Sequence, residues 1–268
     1  MKYDWDATTY DRISDAQESW GQEIIEYRKW KGNEIVLDAG CGSGRTTKML
    51  SIKVPQGKVI AVDSDLSMIK VAKENLAKFS NIEFIKMDIS EIVLEEKVDV
   101  VFSNATLHWI LNHKKVFERL WQILNSKGQL LIQCGGHRDL AKTLSIFNKV
   151  SKSKEFYNYF YNNNNNKGED IWKQTWYFAK KEDTEKILQK IGFRNIKVFL
   201  EDREANFTNK EEYFLFIKTI VLIPYLKYLP NDILKDKFAK SVIQEIETNA
   251  KKLQWKIDFV RLNINAIK

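Results

Sequence analysis

The chain is poor in the residues that build covalent or metal frameworks. Its 268 residues include two cysteines, Cys41 and Cys134, far apart and outside any C-x-x-C spacing. Neither a disulfide scaffold nor a cysteine zinc site is expected. The three histidines, His108, His113 and His137, form no metal-ligand spacing such as H-E-x-x-H, so no metal is expected. Three prolines and eleven glycines are too few for a disordered or fibrous chain. No stretch approaches the length of apolar residues needed to span a membrane as a helix. Residues Met1 to Asp6 show no apolar run behind a basic start, so a secretory leader is not expected. The expected compartment is the reducing cytoplasm.

What the chain has is an apolar content of 44%, ample for a core. The length corresponds to roughly 1.8 domains at about 150 residues each. One α/β domain with a sizeable insertion fits as well as two domains. The formal net charge is +7. Basic chains can bind nucleic acid or anionic surfaces. Here the excess is scattered lysine, as in Lys180-Lys181 and Lys251-Lys252, and a solvated surface is the favoured reading over a nucleic-acid partner.

A strand–helix alternation runs through the first half. Apolar periodicity predicts a helix over 18–31. Ile35-Val36-Leu37 reads as a buried strand, and Gly40-Cys41-Gly42-Ser43-Gly44 as a glycine-rich turn. A helix follows over 46–52, then a strand over 59–62 ending at Asp63. A helix over 67–79 leads to a strand over 82–85. Strands at 98–102 and 128–132 flank a helix over 114–124. Such repetition predicts a parallel sheet with helices on both faces. Beyond Gly136 the rhythm breaks, and 139–180 reads as helices around the run Asn162 to Asn166. That run suits a flexible loop. The aromatics beside it, Phe156, Tyr157, Tyr159, Phe160, Tyr161, Trp172, Trp176, Tyr177 and Phe178, fit either a lid or the seat of a helical insertion. A helix over 182–191 stops at Gly192. A strand over 196–200, helices over 209–253 broken by Pro224 and Pro230, and an alternating strand over 257–264 complete the chain.

The segment Val36-Leu37-Asp38-Ala39-Gly40-Cys41-Gly42-Ser43-Gly44 carries the strongest chemical signal. It follows a strand and opens a helix, and its glycines let backbone approach a ligand closely. A dinucleotide fingerprint is G-x-G-x-x-G/A, with pyrophosphate on the helix N-terminus. Here the spacing is G-x-G-x-G, position 45 is Arg, and Asp38 precedes the glycines. A carboxylate there repels pyrophosphate but suits an ammonium group, as on S-adenosylmethionine. Asp63, nineteen residues beyond Gly44, sits where a carboxylate can accept both ribose hydroxyls; the plain alternative is a cap on the next turn. Asp88 suits the adenine amino group, or else caps the turn that follows. In Cys41 the backbone matters, not the thiol. Ala39, Ser64, Met68, Ile89 and Asn104 complete the candidate cofactor-binding set.

Together these segments, with Val62-Asp63, Met87-Asp88-Ile89 and Asn104-Ala105-Thr106-Leu107-His108-Trp109, resemble class I S-adenosylmethionine-dependent methyltransferases. The last segment, with Trp5, Tyr10 and Trp20, is most similar to the trans-aconitate methyltransferase group, and juvenile hormone acid methyltransferases share similar features. The resemblance covers residues 20–136. It implies a Rossmann-like seven-stranded, mostly parallel sheet whose last strand is antiparallel, with a helical cap. It also implies S-adenosylmethionine as methyl donor and S-adenosylhomocysteine as product. The expected organisation is an α/β core with N-terminal helices over 1–136, a helical insertion over 137–180, and the rest of the sheet over 181–268 with a second insertion at about 204–253.

Methyl transfer requires nucleophile, methyl and sulfur to be held in line, with water excluded. A carboxylate is already ionised at neutral pH and needs no base. The absence of an evident acid–base dyad therefore fits O-methylation of a small-molecule carboxylate. The switch-point rule places Ser103 to Trp109 beside the reacting methyl. His108 can hydrogen-bond an acceptor oxygen, take a proton from a hydroxyl, or bond backbone at a helix start. Trp109 can wall the pocket or join the core. Tyr10 and Trp5 fold over the cofactor if the resemblance holds, and pack otherwise. Arg12, Arg45 and Arg138 are candidates to pair with an acceptor carboxylate, and Arg138 joins Tyr10 and Trp5 as a candidate substrate-binding residue. The competing readings are a C- or O-methyltransferase of a larger apolar natural product or lipid, an RNA or protein methyltransferase, and a catalytically silent protein of the same fold. Amino-methylation of bases is disfavoured, because Asn104-Ala105-Thr106-Leu107 lacks the prolines of [D/N]-P-P-[Y/F].

Overall fold

In the computed structural model, residues 7–161, 175–249 and 255–268 are described. Trp5, Trp172 and the asparagine run lie outside them. The chain divides into two compact units: Met1–His137, Trp176–Glu201 and Arg261–Lys268 form one, Arg138–Thr175 and Asp202–Val260 the other.

Two helices, α1 (Ala7–Ile13) and α2 (Asp15–Tyr27), precede the sheet. Then come β1 (Ile35–Ala39), α3 (Arg45–Lys53), β2 (Lys58–Asp63), α4 (Leu66–Asn75), β3 (Ile82–Lys86) and β4 (Val98–Asn104). Next are α5 (His113–Ile123), β5 (Leu124–Gly135), α6 (Ala141–Ser151) and α7 (Tyr157–Phe160). The chain ends with α8 (Lys181–Ile191), β6 (Arg194–Asn206), α9 (Lys210–Phe216), α10 (Ile223–Leu226), α11 (Asp232–Asn249) and β7 (Lys256–Ile267). The seven-stranded sheet has the order β3-β2-β1-β4-β5-β7-β6. The pairs from β3 to β5 are parallel, and β7 runs antiparallel to β5. The strand order reverses between β1 and β4, which opens a crevice at their C-terminal ends.

Each central strand is apolar on both faces because helices cover both. Alternate residues divide between two cores. Val36, Val59, Val100, Phe102 and Leu131 pack with Ile25 of α2 and Leu50 of α3. Leu37, Ile60, Val101, Leu130 and Ile132 pack with Phe117 and Leu120 of α5 and Leu188 of α8. Gly192, at φ +113°, ends α8 as its spacing implied.

Several elements differ from the sequence expectation for identifiable reasons. Helix α2 stops at Tyr27 rather than residue 31, because the Glu34 carboxylate collects the N–H groups of Lys31 and Gly32. Strand β5 begins at Leu124, ahead of the expected 128, through a bridge to Val98 followed by a bulge. In the expected helical stretch 139–180, residues 175–180 form no helix. Gly136 bridges Ala179 there instead, and His137 N donates to Ala179 O. Of the aromatics near the asparagine run, Phe156 and Phe160 are core side chains of the second unit. Their rings lie 5.0 and 5.5 Å from that of Phe238. Trp176 is buried in the first unit, against Trp109.

Phe102 is fully buried at the centre of β4. Replacing it with Ala is expected to cost about 3–5 kcal/mol of unfolding free energy, read by urea denaturation.

Candidate active site

The glycine loop closes over the end of β2. The N–H groups of Gly40 and Cys41 both donate to the Val62 carbonyl, at 2.8 and 3.0 Å. Gly40 has φ +86°, and a Cβ there would sit 2.2 Å from Thr106 Oγ1. The loop therefore packs directly on the segment that follows β4. Gly44, at φ +92°, leads into α3, and a Cβ on it would meet Leu76 at 2.8 Å. Gly42 is different: at φ +54° its Cβ direction is open as far as Tyr10, 3.9 Å away. Its N–H donates to Asp63 Oδ2 at 2.9 Å.

Asp38 has no exposed surface. Thr47 Oγ1 donates to its Oδ2 at 2.7 Å, whereas Oδ1 is buried with no hydrogen-bond partner. Burial pushes this carboxyl up to about 7, with a smaller upward push from Asp63 and opposition from the Thr47 hydrogen bond. A buried carboxylate oxygen without a donor is costly unless a ligand supplies one. Asp63 is half-buried. Its Oδ1 accepts from Asp65 N and its Oδ2 from Gly42 N, so each oxygen keeps a lone pair for a ligand hydroxyl. Burial raises its pKa as well.

The remaining candidates separate by position. Cys41, Met68 and Ile89 are buried, Ser64 is exposed, and Ala39 ends β1 fully buried. Asp88 is exposed and caps the 3₁₀ turn Ile89–Glu91 by accepting from Ser90 N at 2.8 Å, the plain role expected beside the adenine one. Asn104 Nδ2 donates to Gln17 O, leaving Asn104 Oδ1 buried and unpartnered. Tyr10 reaches the loop: its neighbours include Asp63, and burial raises its hydroxyl to about 12. Arg45 is engaged by Asp11, Asp15 and Glu18, which ties α1 and α2 to α3 rather than leaving Arg45 for an acceptor. Arg12 is exposed. Arg138 is exposed too, in a left-handed turn of the second unit (φ +69°).

His108 and Trp109 lie in a 3₁₀ turn at Leu107–Trp109. The His108 ring stands 5.4 Å from that of Trp109 and 6.1 Å from that of Phe178. Gly135 N donates to His108 Nδ1 at 3.2 Å. Burial holds the imidazole pKa well below its usual value, with further lowering by Arg261 and His113.

Three polar residues of this unit escaped the sequence reading. Arg261 of β7 is 2% exposed. Its Nε donates to Gln133 Oε1 at 3.4 Å, and its guanidinium lies 5.2 Å over the Trp20 ring. The available signal was the polar set Arg261, Asn263 and Asn265, alternating with Leu262, Ile264 and Ala266. Gln17 and Ser14, at the start of α2, each keep a buried unpartnered oxygen. Nothing in their spacing singles them out. Among the described residues, no cluster of His, Cys, Asp or Glu has metal-binding geometry, and no helix is long and apolar enough to cross a membrane.

Comparison with known proteins adds four findings. A family model described as a methyltransferase domain matches residues 31–192. Malonyl-[acyl-carrier protein] O-methyltransferase of Bacillus cereus is 31% identical over 156 residues, covering 57% of this chain and 58% of the relative. Trans-aconitate 2-methyltransferase of Deinococcus radiodurans is 31% identical over 137 residues, 51% of this chain and 52% of the relative. This chain thus spans just over half the length of those relatives. The fold is similar to that of Haemonchus contortus phosphoethanolamine N-methyltransferase 2, solved with S-adenosyl-L-methionine. The TM-score is 0.59 at 19% identity, over 98% of this chain and 56% of that one.

The pH dependence of stability tests the state of Asp38. Its pKa in the fold, about 7, lies above that of an unfolded aspartate, so folding takes up a proton between the two values. The associated stability is complete below the unfolded pKa and is lost as pH rises through 7. Asp38→Asn is expected to gain stability over the unmodified protein as pH rises from 4 to 7.5, by an amount of order 4 kcal/mol. A difference that stays flat with pH, by urea denaturation, would show that folding does not raise the pKa of this carboxyl.

Proposed function

Because the chain belongs to the methyltransferase-domain family, we propose that it transfers a methyl group from S-adenosylmethionine to a carboxylate oxygen of a small molecule. The observation that carries the donor assignment is the unpartnered, fully buried Asp38 Oδ1 directly before the glycine loop. A ligand ammonium supplies the donor that this oxygen lacks, and a pyrophosphate does not. When bound, S-adenosylmethionine would supply a methyl on a positively charged sulfur and leave as S-adenosylhomocysteine.

In this reading each residue has a distinct task. Asp38 holds the ammonium group. Ala39, Gly40, Cys41, Gly42 and Gly44 offer their backbone to the donor, and at Gly42 the direction of a side chain is open. Asp63 accepts the ribose hydroxyls with the lone pairs left over from Gly42 and Asp65. Asp88 accepts from the adenine amino group, and Ser64, Met68, Ile89 and Asn104 line the same site. Tyr10, beside Gly42, closes on the donor and stays protonated at neutral pH. His108 and Trp109 face the acceptor.

Two observations favour a carboxylate acceptor. Relatives are named for O-methylation of malonyl-acyl-carrier protein and for methylation of trans-aconitate. A carboxylate is also ionised at neutral pH, so displacement at the methyl needs positioning and exclusion of water but no base. The cytoplasm is the compartment this reading assigns.

The test is transfer of labelled methyl from S-adenosylmethionine, with small mono-, di- and tricarboxylic acids, a cell metabolite extract and bulk RNA as parallel acceptors. Label in the acid or metabolite wells is expected; label confined to RNA would overturn the acceptor class. Asp63→Ala is expected to weaken donor binding by about 1–3 kcal/mol in calorimetry, from the loss of hydrogen bonds to a charged acceptor. An unchanged affinity would remove Asp63 from the site.

A further inference from the structure

The state of His108 is set by backbone before any acceptor arrives. Strand pairing places Gly135 of β5 opposite Arg261 of β7. The N–H of Gly135 points at His108 Nδ1. A neutral imidazole has one nitrogen that accepts and one that donates, so accepting at Nδ1 leaves the proton on Nε2. An imidazolium donates from both nitrogens. It therefore has to give up the Gly135 hydrogen bond and set two N–H groups against each other. The charge of Arg261, carried on the strand paired with β5, opposes it too. His113 of α5, whose Nε2 lies 2.9 Å from Leu107 O, is itself buried with a lowered pKa and brings no negative charge. The rings of Trp109 and Phe178 occupy further sides and offer no negative charge.

We propose that His108 is a fixed, neutral Nε2–H donor beside the Arg261 guanidinium, and that the site therefore takes an acceptor arriving as an anion rather than one that must first lose a proton. The proposal rests on the methyl-transfer reading above and assigns His108 its part in it, a donor to an anionic acceptor and not a base. A carboxylate oxygen accepts from Nε2–H and is drawn by the positive charge of Arg261. An alcohol, phenol or ammonium acceptor has to release a proton in the reaction. The His108 nitrogen open to take it already bears hydrogen, and the other accepts from Gly135.

This geometry is what sequence reading left unsettled. As a donor, His108 is replaceable by another side chain with an N–H; as a base, it is not. Its burial lowers the imidazole pKa in the same direction as the geometry, so the donor state extends through the whole neutral range.

The first experiment is long-range nitrogen–proton correlation on the full ¹⁵N-histidine-labelled protein from pH 5.5 to 8, with His108→Asn used to assign the resonance. The expected result is a neutral Nε2–H pattern that does not change with pH. An Nδ1–H pattern, or titration between pH 6 and 7, would overturn the proposal. This readout needs no substrate. The second experiment compares methyl transfer to short-chain carboxylic acids with transfer to the alcohols of the same carbon skeleton. Transfer to the acids is expected, with His108→Asn within about 10-fold of the unmodified protein and His108→Phe weaker, mostly through KM. Transfer to the alcohols alone, with His108→Asn slowed by about 10²-fold or more as for a lost base, would also overturn it. If no acceptor is methylated, the methyl-transfer reading fails, and the nitrogen spectrum still decides the state of His108.

Discussion

The Val62 carbonyl accepts from two successive N–H groups, those of Gly40 and Cys41. That single acceptor turns the chain back on itself at the end of β1 and locks the turn to the end of β2. Asp63 follows Val62 directly, so the same turn brings its carboxylate to Gly42 N. On the opposite side, Gly40 has no side chain and lets Thr106 close to contact distance, with Thr106 Oγ1 donating to Gly40 O at 3.2 Å. The ends of β1, β2 and β4 are thereby held around one crevice. The strand order places that crevice where it is open, at the reversal between β1 and β4.

The polar groups around the crevice are arranged on unequal terms. Thr47 and the two backbone N–H groups on Asp63 leave acceptor capacity unused, and at Asp38 one oxygen is buried without a hydrogen-bond partner. Toward β5 and β7 the balance is reversed. In the reading proposed above, the donors there are the Nε2–H of His108 and the guanidinium of Arg261. The proposed function sets acceptors for a cationic methyl donor on one side and donors for an anionic methyl acceptor on the other. The helices α1 and α2 are tied to this frame by Arg45, which binds Asp11, Asp15 and Glu18. A side chain that reads as an acceptor-binding arginine is thus part of the scaffold.

The local part of this was open to sequence reasoning. Val36, Leu37, Ile60, Val62, Val100 and Val101 form continuous apolar runs because parallel strands are covered on both faces, and such runs need no tertiary information to recognise. The glycine spacing and the placement of Asp38 and Asp63 follow from a strand, a turn and a helix within some thirty residues. The ends of elements were less legible. Glu34 closing the turn after α2, and the bulge that starts β5 at Leu124, depend on partners elsewhere in the chain.

By itself the sequence determined the alternation of strands and helices, the parallel sheet, the glycine loop and the two aspartates at its rim. All are set by residues close together in the chain. Only the tertiary structure decided that Arg45 is engaged, that Asp88 caps a turn, and that Phe156 and Phe160 belong to a core. It also decided that Arg261 stands near His108, although 153 positions separate them in the numbering. The reason is physical: a side chain's charge, tautomer and partners are set by the groups that folding brings around it. Here the antiparallel pairing of β7 with β5 brings a late arginine beside the turn that follows β4.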